Sequence, residues 1–208
     1  DGTQVLTANI PCAGFKFTGL GAGTTAGDSV RFEQLLGLGS IGTARQVPTV
    51  NAGATALAFA NPITVATMQA TTSGTAFNYT SLPVGIRRIT IEFVGVSLSG
   101  TDNILVQIGD TNGVSATGYV STGGGIANAG ASVAVGSTAG FIIVAGNAAS
   151  ITSGTMVLDL VDAATFQWVS SHAAKTNTLG TLMGGGDKAL AAVLDRLTIT
   201  RTGTDTFD

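Results

Sequence analysis

Cysteine, histidine and tryptophan each occur once in these 208 residues, as Cys12, His172 and Trp168, and proline occurs four times. A lone cysteine excludes an internal disulfide framework and a cysteine-built zinc centre. A lone histidine leaves histidine-based catalysis a single candidate. Charge is scarce as well: Asp, Glu, Lys and Arg make up 10% of the chain, against about 25% in an ordinary soluble domain. The net charge of −3 comes with no block of lysine or arginine, which argues against a nucleic-acid surface, because neutralising phosphates takes clustered cations. The mean hydropathy is +0.43, yet Gly, Thr or Ser interrupts every apolar run. None reaches the roughly 18 residues of a membrane-spanning helix, so no membrane insertion is expected.

What is present is a chain rich in glycine (30 residues), threonine and serine, with 44% hydrophobic residues. That apolar content is too high for a disordered chain. Short β-branched runs broken by turn residues fit a β protein with tight turns. Scarce charge also fits a protein that buries surface in an assembly, where charges would have to be desolvated or paired. Asp1 and Asp208 read as cut ends, of a processed chain or of the ordered part of a longer polypeptide.

The pattern divides the chain in three. Residues 1–40 read as an extended arm followed by a short helix. Phe15 and Phe17 share one face of an extended segment with Lys16 opposite, and Pro11 confines the preceding strand to an edge. Asp28 stands where a helix N-cap would, ahead of Val30, Phe32, Leu35 and Leu36, with Glu33 and Gln34 near capping-box distance and Gly37 as a stop. So short a helix is unstable alone. Its apolar residues, with Phe15 and Phe17, are the expected oligomerisation surface. Residues 41–62 read as a linker with one short strand at 55–59, broken at Pro48 and Pro62.

Residues 63–208 show strands at the spacing of an antiparallel, jelly-roll-like β sandwich. In residues 86–94, Ile89, Ile91 and Phe93 share one face, with Arg88, Thr90 and Glu92 on the other. Residues 104–108 run into Gly109-Asp110-Thr111-Asn112-Gly113, a turn signal. The continuous run 141–144 fits burial on both faces. Residues 155–161 alternate with Met156, Leu158 and Leu160 inward, and 165–169 lie close enough to form a hairpin with them. Residues 194–200 close the set with Leu197 and Ile199 inward. Residues 187–193 fit a short helix or a strand.

Chemistry-bearing motifs are few. Gly184-Gly185-Gly186-Asp187-Lys188 lacks the spacing and the Ser/Thr of a phosphate loop; like Gly123-Gly124-Gly125, it reads as a turn. His172 has no Gly-x-Ser-x-Gly elbow to serve and reads as a solvated loop residue, and Cys12 as a packed small residue. Asp102, Asp110, Asp159 and Asp162 supply carboxylates but no pairing that a glycosidase would need. The oxygens of Asp110 and Asn112 are too few for a calcium site. Neither metal nor cofactor is expected, and no enzymatic activity. Exposed aromatics are the remaining lead, because sugar rings stack on aromatic planes. Tyr119 and Trp168 are the candidate platforms, with Asn112, Asp162 and Gln167 as hydrogen-bonding partners and Asp110 as a further ligand-binding candidate in the same turn as Asn112; Trp168 shares parity with Phe166 and equally fits a core position.

The stretch Leu6-Thr7-Ala8-Asn9-Ile10-Pro11-Cys12-Ala13-Gly14-Phe15-Lys16-Phe17-Thr18-Gly19-Leu20-Gly21, followed by residues 28–35, resembles a segment of tailed-bacteriophage tail fibre and tailspike proteins. There an aliphatic-Pro-x-x-Gly-Phe-Lys-x-Thr-Gly-Leu stretch precedes a short helix in a trimeric shaft. Arg87-Arg88-Ile89-Thr90, Gln107-Ile108-Gly109-Asp110, Thr117-Gly118-Tyr119, Leu194-Asp195-Arg196-Leu197 and Gly203-Thr204-Asp205-Thr206-Phe207-Asp208 are similar to pieces of a distal domain of phage tail proteins. The resemblance implies a homotrimeric virion component of the tail, extracellular in the free particle. It would contact other virion proteins and attach the phage to a bacterial cell-surface glycan or receptor. The alternative expectation is a structural virion protein, decorating a capsid or associated with a tail, that binds only other virion proteins.

Overall fold

The computed structural model describes residues 45–50, 53, 57–127, 130–178 and 180–208. The expected arm and helix, and with them Cys12, Phe15, Phe17, Val30, Phe32, Leu35 and Leu36, lie outside the described residues. The chain divides into two compact units, Asp1–Val65 and Ala66–Asp208. In the first, β1 (Val47–Val50) pairs antiparallel with β2 (Leu57–Ala60). Where the sequence suggests one strand at 55–59, there is thus a two-stranded ribbon. Its first strand contains Pro48, which a ribbon tolerates because one side of each strand needs no ladder donor.

The second unit is β throughout its ordered elements, with no helix among the described residues. Its strands are β3 (Phe77–Tyr79), β4 (Arg88–Val96), β5 (Ile104–Asp110), β6 (Gly113–Val114), β7 (Val120–Ile126), β8 (Ser132–Ser137), β9 (Phe141–Ile143), β10 (Thr152–Asp162), β11 (Gln167–Thr176), β12 (Gly180–Ala189) and β13 (Arg196–Arg201). A six-stranded sheet has the order β4-β10-β11-β12-β7-β8. A five-stranded sheet has the order β3-β13-β5-β6, with β9 also paired to β5. Every pairing is antiparallel.

Side chains from both sheets meet in one core, giving a sandwich-like packing. Phe93, Met156, Leu158, Trp168 and Leu182 come from the six-stranded sheet, and Ile104, Val106, Ile108, Phe141, Leu197 and Ile199 from the other. The alternation expected in 86–94 and 155–161 appears in β4 and β10, and in β13 Leu197 and Ile199 are buried as expected, but Thr198 between them is buried too, its hydroxyl donating to Asn78 Oδ1 at 2.7 Å. On the outer face, Arg88 donates to Asp159 from Nε and Nη2 at 2.6 and 2.9 Å, in register across β4 and β10. The guanidinium holds the Asp159 carboxyl below its ordinary range and is itself raised. The hairpin expected after 162 is also present. Asp162 accepts from the Ala164 N–H and the Thr165 hydroxyl, each at 2.8 Å, which lowers its pKa.

Two readings of the sequence are corrected here. Gly123-Gly124-Gly125 and Gly184-Gly185-Gly186 are not turns; they lie inside β7 and β12, offset so that they meet at one pair, Gly123 opposite Gly184. At Gly123 the reason lies in the second layer. The buried run of β9 crosses this part of the sheet so closely that a Cβ on Gly123 would meet the Ile142 carbonyl oxygen at 2.5 Å. The Ser121 hydroxyl accepts the Ile142 N–H at 3.0 Å, linking the two sheets. His172 is likewise no solvated loop residue. It sits inside β11 between Met156 and Gly184, 7% exposed, and a Cβ on Gly184 would strike its ring. Of the ambiguous stretch 187–193, the first three residues belong to β12 and the rest form neither helix nor strand.

The last residues are tied down by two carboxylates. Asp205 Oδ2 accepts the Asp102 N–H and Asp102 Oδ2 accepts the Asp205 N–H, both at 2.8 Å. Beyond this clasp, Phe207 is buried, bridges to Leu98 and meets Phe77 edge-on with ring centroids 4.9 Å apart.

Candidate functional site

The four ligand candidates divide cleanly. Trp168 is 1% exposed on the inner face of β11, and its Nε1 has no hydrogen-bond partner. Tyr119 is also 1% exposed. Its hydroxyl accepts the Ile108 N–H at 2.8 Å and donates to the Ser115 carbonyl at 2.9 Å, while its ring meets Phe141 edge-on at 5.0 Å. A tyrosine that returns its hydroxyl to the backbone four residues upstream fixes a corner of a β sandwich. Burial, opposed in part by the Ile108 N–H, raises its pKa to about 12. The expectation of two aromatic platforms is therefore corrected. Both rings are core, because each is large enough to span the gap between sheets and so is drawn into it.

Asp110 and Asn112 lie at the surface end of β5, in the expected turn. Asp110 Oδ1 accepts the Asn112 N–H at 2.8 Å, an Asx turn that fixes the entry into β6. The carboxylate is only 6% exposed, whereas Asn112 is exposed. Gly113 completes the turn at φ 129°, a backbone state that glycine adopts without strain.

These two residues open onto a surface depression of about 440 Å³, shared with Val114, Ser115, Lys188 and residues 189–191. Lys188 is the residue that sequence reasoning missed. With its glycine run read as a turn, nothing gave it a face. Register supplies one: in β12 it stands opposite Trp168. Its ammonium donates to the Thr117 carbonyl at 2.9 Å and lies 5.3 Å from the Tyr119 ring centroid, a cation–π distance. A Cβ on Gly118 would come within 3.1 Å of Nζ, so a glycine there leaves the ammonium its place. The core tyrosine thus acts at the surface indirectly, as the seat of a lysine.

The other sequence-derived candidates lie elsewhere. Desolvation alone lowers the His172 pKa to about 4, and its Nε2 has no partner. Asp159 is paired with Arg88, Asp162 caps a turn and Asp102 belongs to the clasp. Among the described residues no three of His, Cys, Asp and Glu gather as a metal site, and no helix is long and apolar enough to cross a membrane. The depression is therefore the one place where two sequence-derived candidates and an oppositely charged side chain converge. Comparison of the chain with protein-family models, with curated proteins and with solved structures gives no match.

Proposed function

We propose that this chain is a non-enzymatic component of a bacteriophage tail fibre, a homotrimer that attaches the particle to the bacterial surface. Its jelly-roll-like sandwich faces the cell and its arm and helix join three copies. The observation that carries the reading is the union, in one chain, of the tail-fibre-like stretch 6–36 with an antiparallel β unit that carries a surface depression beside its β5–β6 turn. Glycan is the favoured receptor, and a weak single site suffices when three are linked, because avidity rises without new contacts.

A second reading draws on the burial of Tyr119 and Trp168. A structural virion protein that binds only other virion proteins needs no exposed aromatic platform. Gold-labelled antibody against this chain, imaged on intact particles, separates the two: label on fibres supports attachment, and label on the shell supports the structural role. Sedimentation tests the trimer. The intact chain is expected to run as a trimer, and Phe32→Asp or Leu35→Asp to give monomer or aggregate. An unchanged trimer mass in both variants refutes the role given to the helix.

A further inference from the structure

We propose that the depression beside the β5–β6 turn binds a saccharide through one vicinal diol held between the Asp110 carboxylate and the Lys188 ammonium. This rests on the attachment reading and names the ligand group and the two residues that meet it. The two charges are opposite in sign and line one depression, yet no Asp110 oxygen lies within 4.0 Å of Lys188 Nζ. Left to themselves, flexible opposite charges close into a pair; here both are held apart. Asp110 is fixed by its Asx turn through Oδ1, which leaves Oδ2 with no hydrogen bond. Lys188 is fixed by the Thr117 carbonyl and the Tyr119 ring, and one of its three N–H donors is used.

What remains is a carboxylate oxygen without a hydrogen bond and an ammonium with two spare N–H donors, on two residues that line the same depression. Adjacent hydroxyls on a sugar ring match that demand: one donates to Oδ2 while its neighbour accepts from Nζ. An amino-acid zwitterion would need the two charges uncompensated. The Lys188 ammonium already lies over an aromatic ring, and Asp110 acts electrostatically on Arg196, which is itself paired with Asp195. Asn112 and Ser115 add neutral polar groups to the lining, again suited to hydroxyls.

The test is amide chemical-shift mapping on the full-length, isotope-labelled chain. The probes are the methyl α-glycosides of glucose, galactose and mannose, with glycine as the zwitterionic comparison, each up to about 50 mM, since single-site affinities of about 1 mM correspond to only 4 kcal/mol. At least one glycoside is expected to shift the amides of Asn112, Gly113 and residues 189–191. Asp110→Asn and Lys188→Met should each weaken that binding at least tenfold while the amides of Phe93 and Met156, core residues that do not line the depression, keep their positions, reporting an intact fold. The proposal is overturned if no glycoside shifts these amides, if glycine shifts them as strongly, or if binding survives both substitutions. Because the assay uses isolated protein, its failure is distinct from that of the attachment reading, which the particle labelling decides.

Discussion

Acidification should weaken this fold through a single residue. His172 is neutral in the folded chain down to about pH 4 because burial disfavours its charged form, whereas in the unfolded chain it protonates near its ordinary pKa of 6.5. The folded-state pKa is the lower one, so the unfolded state binds the extra proton. Stability is unaffected above pH 6.5 and falls as pH drops from there towards 4. With 1.36 kcal/mol per pKa unit, the loss is about 2 kcal/mol at pH 5 and about 3 kcal/mol at pH 4. Asp159, Asp162 and Asp195 also have lowered values, from 3.8. Their stabilisation is present above that pH and is lost below it, outside the histidine window. Urea midpoints at pH 7.5, 5 and 4 measure the effect, and the imidazole resonance of the only histidine titrates it directly. In His172→Leu the fall between pH 7.5 and 5 should vanish. A wild-type midpoint that does not move over that interval, or one that moves equally in the variant, refutes the reasoning.

Two further perturbations probe the packing. Tyr119→Phe removes a hydroxyl that serves a buried N–H and a carbonyl, and should cost about 1–3 kcal/mol in urea unfolding; an unaltered midpoint would show that the corner contributes nothing. Gly184→Ala places a methyl against the His172 ring and the Thr122 carbonyl and should destabilise by about 1–3 kcal/mol. Gly136→Ala on edge strand β8, where the nearest atom would stand at 3.6 Å, should be close to neutral. Equal losses in the two alanine variants would contradict the close packing of Gly184 against the His172 ring.

The sequence was readable where side-chain pattern alone decides structure. Strand β4 shows its two faces in alternating Ile and charged residues, β9 shows double burial in an unbroken apolar run, and the Asx turns at Asp110 and Asp162 carry their own hydrogen-bonding chemistry. It was opaque where a distant element decides. Three consecutive glycines are a poor strand by propensity, and only the passage of β9 over Gly123 and the His172 ring beside Gly184 make glycine the residue that fits at those two positions. That one misreading hid Lys188, since parity along β12 cannot be counted until β12 is known to exist. Tyr119 and Trp168 were ambiguous for a different reason: each has an apolar body and a polar tip, and only the sheet partners show which end governs.

The connectivity of the two layers sets an order of events. Strands β10, β11 and β12 follow one another as hairpins, whereas β3 must find β13 and the clasp joins Asp102 to Asp205. Long closures of this kind are slow beside hairpin formation. Refolding should therefore begin in the hairpin triplet and finish when β13 arrives. Until that moment one edge of β5 stands bare, its backbone donors and acceptors on that side unpaired, and the half-built chain is at its most prone to clump with its own kind.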